Sequence, residues 1–229
     1  MKTSRLANSG FPAAFLGALS IGALLFLGAV SAQAQPGRKL ALLVGIGNYP
    51  PAGGWQTINA ANDLALMSNT LQKRGFPAEN ILIVQEQDAT REGILHAFRQ
   101  HLLNQAKAGD LVYFQFSGHG QWVTDDNADE LDGRDEAIVP YDSPKKYQAG
   151  VNEGQFLIRD DELNTMFTDL RRRLGPSGNL LVVIDACHSG TATRGLGPAR
   201  GTDEGMAADP SAAPAAQKQA PDNTQFDDG

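Results

Sequence analysis

The sequence predicts an α/β fold: an open, mostly parallel sheet with helices on both faces. Three observations carry this. Apolar runs that suit strands buried on both faces alternate with segments of helical period. The runs are separated by enough residues for helical crossovers, which connect parallel rather than antiparallel neighbours. Glycines and polar residues gather directly after the runs, where open parallel sheets place their functional groups.

The elements follow in order. "KLALLVGIGNY" (39–49) opens with a continuous apolar run that ends in glycines, and is predicted as the first strand. Residues 59–75 carry Ala60, Leu64, Met67 and Leu71 on one helical stripe, with Gly75 as the stop. "NILIVQ" (80–85) is the second strand. Thr90 is placed to cap a helix whose Ile94, Phe98 and Leu102 share a face. "LVYFQF" (111–116), rich in aromatic and β-branched residues, is the third strand.

A polar, acidic loop is predicted over 121–135, and "AIVP" (137–140) reads as a small extra strand. Asp160 and Asp161 begin another helix, where carboxylates suit the dipole, and its stripe is Leu163, Met166, Phe167, Leu170 and Leu174. "NLLVVI" (179–184) is predicted as a fourth buried strand.

The flanks read differently. Lys2 and Arg5 precede an uncharged apolar stretch that ends in an A-x-A-like site at Ala32–Ala34. Residues 1–34 are therefore expected to be a cleaved signal peptide, with a membrane helix as the alternative. The mature chain would be exported, periplasmic or secreted, with no stable membrane span after signal removal. Residues 35–198 form the expected globular domain. Residues 199–229, rich in Ala, Pro, Gly and Asp, are expected to be a disordered low-complexity tail. The net charge of −7 over 229 residues offers no basic surface for nucleic acid.

Cys187 is the only cysteine, so it cannot form a disulfide within the chain. It lies in "DACHSG" (185–190), after the fourth strand, while the third ends in "FSGHG" (116–120). If these strands are neighbours, His119 and Cys187 emerge side by side at one sheet edge. An imidazole there can take the thiol's proton or hold a thiolate–imidazolium pair. His188 adjoins the thiol but points to the opposite face of an extended backbone. A metal hydrolase fails on spacing, and a serine hydrolase lacks the G-x-S-x-G elbow.

"SGHG", "DELDGRDEAIVPYD", "IRDDEL" and "DACHSG" in this order, after "ALLVGIGNY" and "NAANDLALM", resemble the caspase-like cysteine peptidases. Metacaspases and their bacterial relatives match best, over about residues 39–195. The resemblance implies a caspase-like fold and an endopeptidase with Cys187 as nucleophile and His119 as base. It implies that the amides of Gly120 and Cys187 stabilise the oxyanion. Asp63 and Asp185 match acidic residues that line the first specificity pocket, so protein or peptide substrates with Arg or Lys before the cut are expected.

The chemistry itself requires no cofactor. The resemblance further suggests calcium stimulation, with Asp160, Asp161 and the loop residue Asp132 as ligands. Arg194 stands in a neighbourhood where the family often has an acid, so a solvated acidic loop is the competing reading. Glu130 at the glycine position of an EF-hand count, Asp132 where an apolar residue is usual and the missing helical flanks argue against that motif. Arg194 and Arg200 lie in a Gly-rich stretch and are candidate self-cleavage sites. The family's domain usually continues with further strands. An open sheet edge is therefore expected, which a dimer or a second chain would cover. The alternative function is a catalytically weak or inactive caspase-like interaction module.

Overall fold

A computed structural model describes residues 37–124 and 133–186, together with Met206. The expected signal peptide, Asp132, Cys187, His188, Arg194 and Arg200 lie outside the described residues.

Four strands form the parallel sheet: β1 (Lys39–Gly45), β2 (Ile81–Gln85), β3 (Leu111–Ser117) and β7 (Asn179–Asp185). Their spatial order is β2-β1-β3-β7. The chain therefore leaves β1 toward one side for β2 and returns across it for β3. With right-handed crossovers, this reversal puts α1 (Ala60–Lys73) on one face and α2 (Arg91–Ala97) and α3 (Asp160–Leu174) on the other. Two apolar clusters follow from that division. Ala41, Leu43, Leu64, Leu71, Phe76 and Tyr113 pack on the α1 face. Leu40, Leu42, Val44, Ile94, Phe98, Phe114, Phe116 and Leu170 pack on the opposite face.

β1 has parallel neighbours on both sides, which is why its run is apolar at consecutive positions. Thr90 caps α2 as expected, its hydroxyl accepting from the Gly93 amide at 3.1 Å. α2 runs on into a π-helical turn, Phe98–Leu103, and Ile94, Phe98 and Leu102 all stay fully buried. Gly75, at φ 81°, ends the α1 segment, with the amide of Phe76 bonded to the Leu71 carbonyl.

Two expectations are corrected. The region 121–135 is not a loop throughout: β4 (Gly120–Thr124) pairs antiparallel with β5 (Arg134–Ile138), which pairs with β6 (Ile158–Arg159). The alternation that marks β4 lies in buried Gln121 and Val123, and a polar residue at an inward position hid it. β7 is not fully buried. It is an edge strand among the described residues, and Leu181 is 54% exposed. Met206, inside the expected tail, is 1% exposed and bridges to Val123, its amide bonded to the Trp122 carbonyl at 2.9 Å.

No helix among the described residues is long and apolar enough to cross a membrane. Phe98, Phe114 and Phe167 meet edge-to-face with centroids 5.2–6.0 Å apart, joining the π-helical turn after α2 to β3 and α3. Phe114→Ala is expected to lower stability by about 3–5 kcal/mol, measured as a lower urea midpoint at unchanged slope.

Candidate active site

The parallel strands all end at one rim. β3 and β7 are adjacent and in register, with Ser117 opposite Asp185 and the Gly118 amide bonded to the Asp185 carbonyl at 3.2 Å. His119 follows Ser117 by two residues, and in sequence Cys187 follows Asp185 by two. The neighbour relation on which the expected dyad depends is therefore a property of the sheet. Asp63, in the first turn of α1, and Asp185, the last residue of β7, stand at the same carboxyl rim.

His119 is 2% exposed. Its Nε2 lies 2.8 Å from the backbone carbonyl of Gln56. A carbonyl only accepts, so Nε2 carries the hydrogen and the neutral ring has its lone pair on Nδ1. Two aromatic rings enclose the imidazole. Trp55 stacks on it at 4.8 Å and 25°, and Tyr49 lies tilted at 5.0 Å. The Tyr49 hydroxyl accepts the His119 amide at 3.0 Å and donates to the Val139 carbonyl at 2.9 Å.

Two loops supply this cage and brace each other. Trp55 Nε1 donates to the Ser143 carbonyl at 2.8 Å, and the Lys145 amide donates to the Gly53 carbonyl at 2.9 Å. Glu86, just past β2, adopts a left-handed φ of 50°, which costs a non-glycine residue about 1–2 kcal/mol. Its carboxylate accepts the amides of Gly47 and Asn48 at 3.2 and 2.9 Å, directly before Tyr49. Gly118 must be glycine: a Cβ there would lie 2.7 Å from Phe116 and 2.9 Å from the Tyr49 hydroxyl.

Gly120 sits opposite Ile138. The Val139 amide bonds to the His119 carbonyl, so Gly120 and Ile138 form a pair without mutual hydrogen bonds. The Gly120 amide consequently points out of the ladder, away from β5. The Trp122 carbonyl and Thr124 amide point the same way, toward Met206.

Asp160 and Asp161 open α3, and Asp160 Oδ1 accepts the Asp161 amide at 3.1 Å. The preceding Arg159 is paired with buried Asp135 on β5. Among the described residues no three His, Cys, Asp or Glu side chains converge as a metal-binding group. Asp132 lies outside the described residues.

Sequence reasoning missed Tyr49, Trp55, Gln56 and Glu86. Tyr49 closes the "VGIGNY" stretch, and Trp55 is a lone aromatic in a Gly/Pro-rich loop, which was the available signal. Gln56 acts through its backbone and leaves no mark in the side-chain pattern.

The fold and this rim define a caspase-like α/β domain, and comparison with known proteins agrees. Residues 39–194 match the model of the metacaspase family, the peptidase C14 domain. Metacaspase-3 of Arabidopsis thaliana is 37% identical over 162 residues, covering 68% of this chain and 41% of that protein. Metacaspase-1 of Meyerozyma guilliermondii is 35% identical over 163 residues, covering 68% and 36% respectively. A crystal structure of a Geobacter sulfurreducens protein superposes with a TM-score of 0.52 at 27% identity, covering 67% of this chain and 52% of the other. The chain belongs to the metacaspase family of C14 peptidases. It spans about two fifths of the length of the curated relatives it matches.

Burial pushes the Tyr49 phenol far above its ordinary value of 10.0. It therefore remains a neutral donor wherever the fold persists. A raised folded value means that stability is intact below pH 10 and falls as pH rises beyond it, because only the unfolded phenol ionises there. Alkaline unfolding of the wild type is expected to steepen above about pH 10. Tyr49→Phe should flatten this slope while costing about 2–3 kcal/mol at pH 7, since two buried backbone groups lose their partner. Urea titrations at pH 7 to 11 check both.

Proposed function

We propose that the protein is a cysteine endopeptidase that cuts after Arg or Lys through Cys187 and His119. The observation that carries this is the in-register parallel pairing of β3 and β7, with a buried, carbonyl-anchored imidazole just past the tip of β3. In this reading Cys187 Sγ gives its proton to His119 Nδ1 and attacks the peptide carbonyl. The amides of Gly120 and Cys187 receive the oxyanion, and the outward-pointing Gly120 N–H supports that role. The imidazolium then protonates the departing amine. Water hydrolyses the thioester, with the imidazole taking the water's proton and returning it to sulfur.

Asp63 and Asp185 would supply negative charge to the pocket for the basic side chain. Half-buried Asp63 and exposed Asp185 stand at the same rim as His119, where their negative charge favours a cationic side chain. Calcium belongs to the proposal as a regulator. Asp160 and Asp161 would hold it with a donor from segment 125–132, and the ion would neutralise the carboxylates that open α3 and tie the acidic segment to them. Self-processing at Arg194 or Arg200, export of the mature chain, and pairing of a dimer partner or second chain along β7 complete the reading. Exposed Leu181 and Ile184 on that edge strand support the last point.

Fluorogenic peptides ending in Arg, Lys or Asp provide the test. Arg and Lys substrates should turn over, and Cys187→Ala and His119→Ala should each lower kcat/KM by at least about 10³-fold. Asp preference would overturn the pocket, and Arg hydrolysis that survives both substitutions would overturn the mechanism. Wild-type protein should shed a fragment on storage that the Cys187→Ala chain keeps intact.

The calcium part has its own readout. Calcium should raise the melting temperature of the Cys187→Ala chain by about 2–5 °C, and Asp160→Asn with Asp161→Asn should abolish the rise. Identical melts with calcium and with chelator would remove the ion from the proposal.

A further inference from the structure

We propose that Trp55 is a positioning residue for the base: its indole face holds the His119 imidazole and favours the protonated ring. The inference rests on the reading of His119 as the base, and deepens it. The two rings are 4.8 Å apart and nearly parallel at 25°, in a region where His119 is 2% exposed. A cation over an indole face is attracted by the ring's quadrupole, and the attraction grows as water is excluded. A neutral imidazole gains only the stacking contact. Burial alone works in the other direction, because it disfavours the charged ring. The indole offsets that cost at the point in the reaction where the imidazolium must persist, between thiol deprotonation and proton donation to the amine.

Trp55 is built to stay in place. Its Nε1 is bonded to the Ser143 carbonyl, and the adjoining Gln56 carbonyl binds the same imidazole at Nε2. One dipeptide thus grips the ring on a face and at an edge. Among the described residues, these charged and titratable groups stand around the cage. The Tyr49 phenol lies at 5.0 Å from the imidazole, and the Lys145 ammonium sits 5.9 Å from the Trp55 ring. Glu86 is bound to the amides of Gly47 and Asn48, and Asp63 and Asp185 stand at the rim. Substitution at Trp55 removes the face contact together with the Nε1–Ser143 bond, and fluorination of the indole, which keeps that N–H, separates the two.

The test is an NMR pH titration of the His119 imidazole in the full chain carrying Cys187→Ala, which removes coupling to the thiol. Trp55→Leu is expected to lower the midpoint by about half a pH unit, and Trp55→Phe to recover part of the shift. A second arm uses fluorinated tryptophan in a W122F background, which weakens the quadrupole at nearly constant shape. The midpoint should fall with increasing fluorination at an unchanged melting temperature. A midpoint that stays fixed through the fluorinated series overturns the inference, whether or not Trp55→Leu folds.

With Cys187 present, the limb of the kcat/KM profile that reports imidazolium deprotonation should move to lower pH by the same amount, with KM unchanged. The NMR arm needs no turnover. An inactive chain would therefore sink the peptidase reading alone, and a fixed midpoint in an active enzyme would sink this inference alone.

Discussion

The parallel pairing of β3 with β1 on one side and β7 on the other is the constraint from which the rest follows. It fixes the direction of every strand end and so gathers the polar groups at one rim. Ser117 faces Asp185 across this ladder, and the Ile46 amide reaches the Ser117 carbonyl from β1 at 3.0 Å. A one-residue slip of β7 would turn each of its side chains to the other face. Leu180 and Val182 would leave the α2/α3 cluster and Val183 would leave the α1 face. Apolar packing in the centre of the sheet thereby sets the register of the chemistry at its edge.

Around His119 the structure uses connections that do not involve the sheet. The 47–58 and 139–145 loops are joined through Tyr49, Trp55 and the Gly53–Lys145 backbone bond, and Glu86 pins the first of them from β2. The left-handed backbone at Glu86 occurs together with its bonds to both amides. Local strain at β2 is thus tied to order at the tip of β3, two strands away in the sheet.

The sheet and its crossovers were legible in the sequence because strand and helix periods are written in apolar side chains. Leu163, Leu170 and Leu174 on α3, and Ile94, Phe98 and Leu102 on α2 and the π-helical turn that continues it, are buried where the pattern put them. β4 was not legible, since Gln121 is a buried polar residue whose amide donates to the Lys145 carbonyl at 2.9 Å. The exposure of β7 was also missed, because an apolar run does not say which strand stands at the edge. Of the rim, His119 was visible from its glycines and its place after a strand. Its surroundings were not, because Tyr49 and Trp55 reach it from a loop 64 to 70 residues earlier in the chain.

The anchoring of Nε2 by a main-chain oxygen has a consequence for how the domain tolerates change. An orienting carboxylate can be deleted by one nucleotide change, whereas every residue that replaces Gln56 still carries the same oxygen. Tautomer control in this domain is therefore inherited with the course of the backbone, and drift at position 56 leaves it intact so long as the neighbouring indole keeps that peptide unit in its plane.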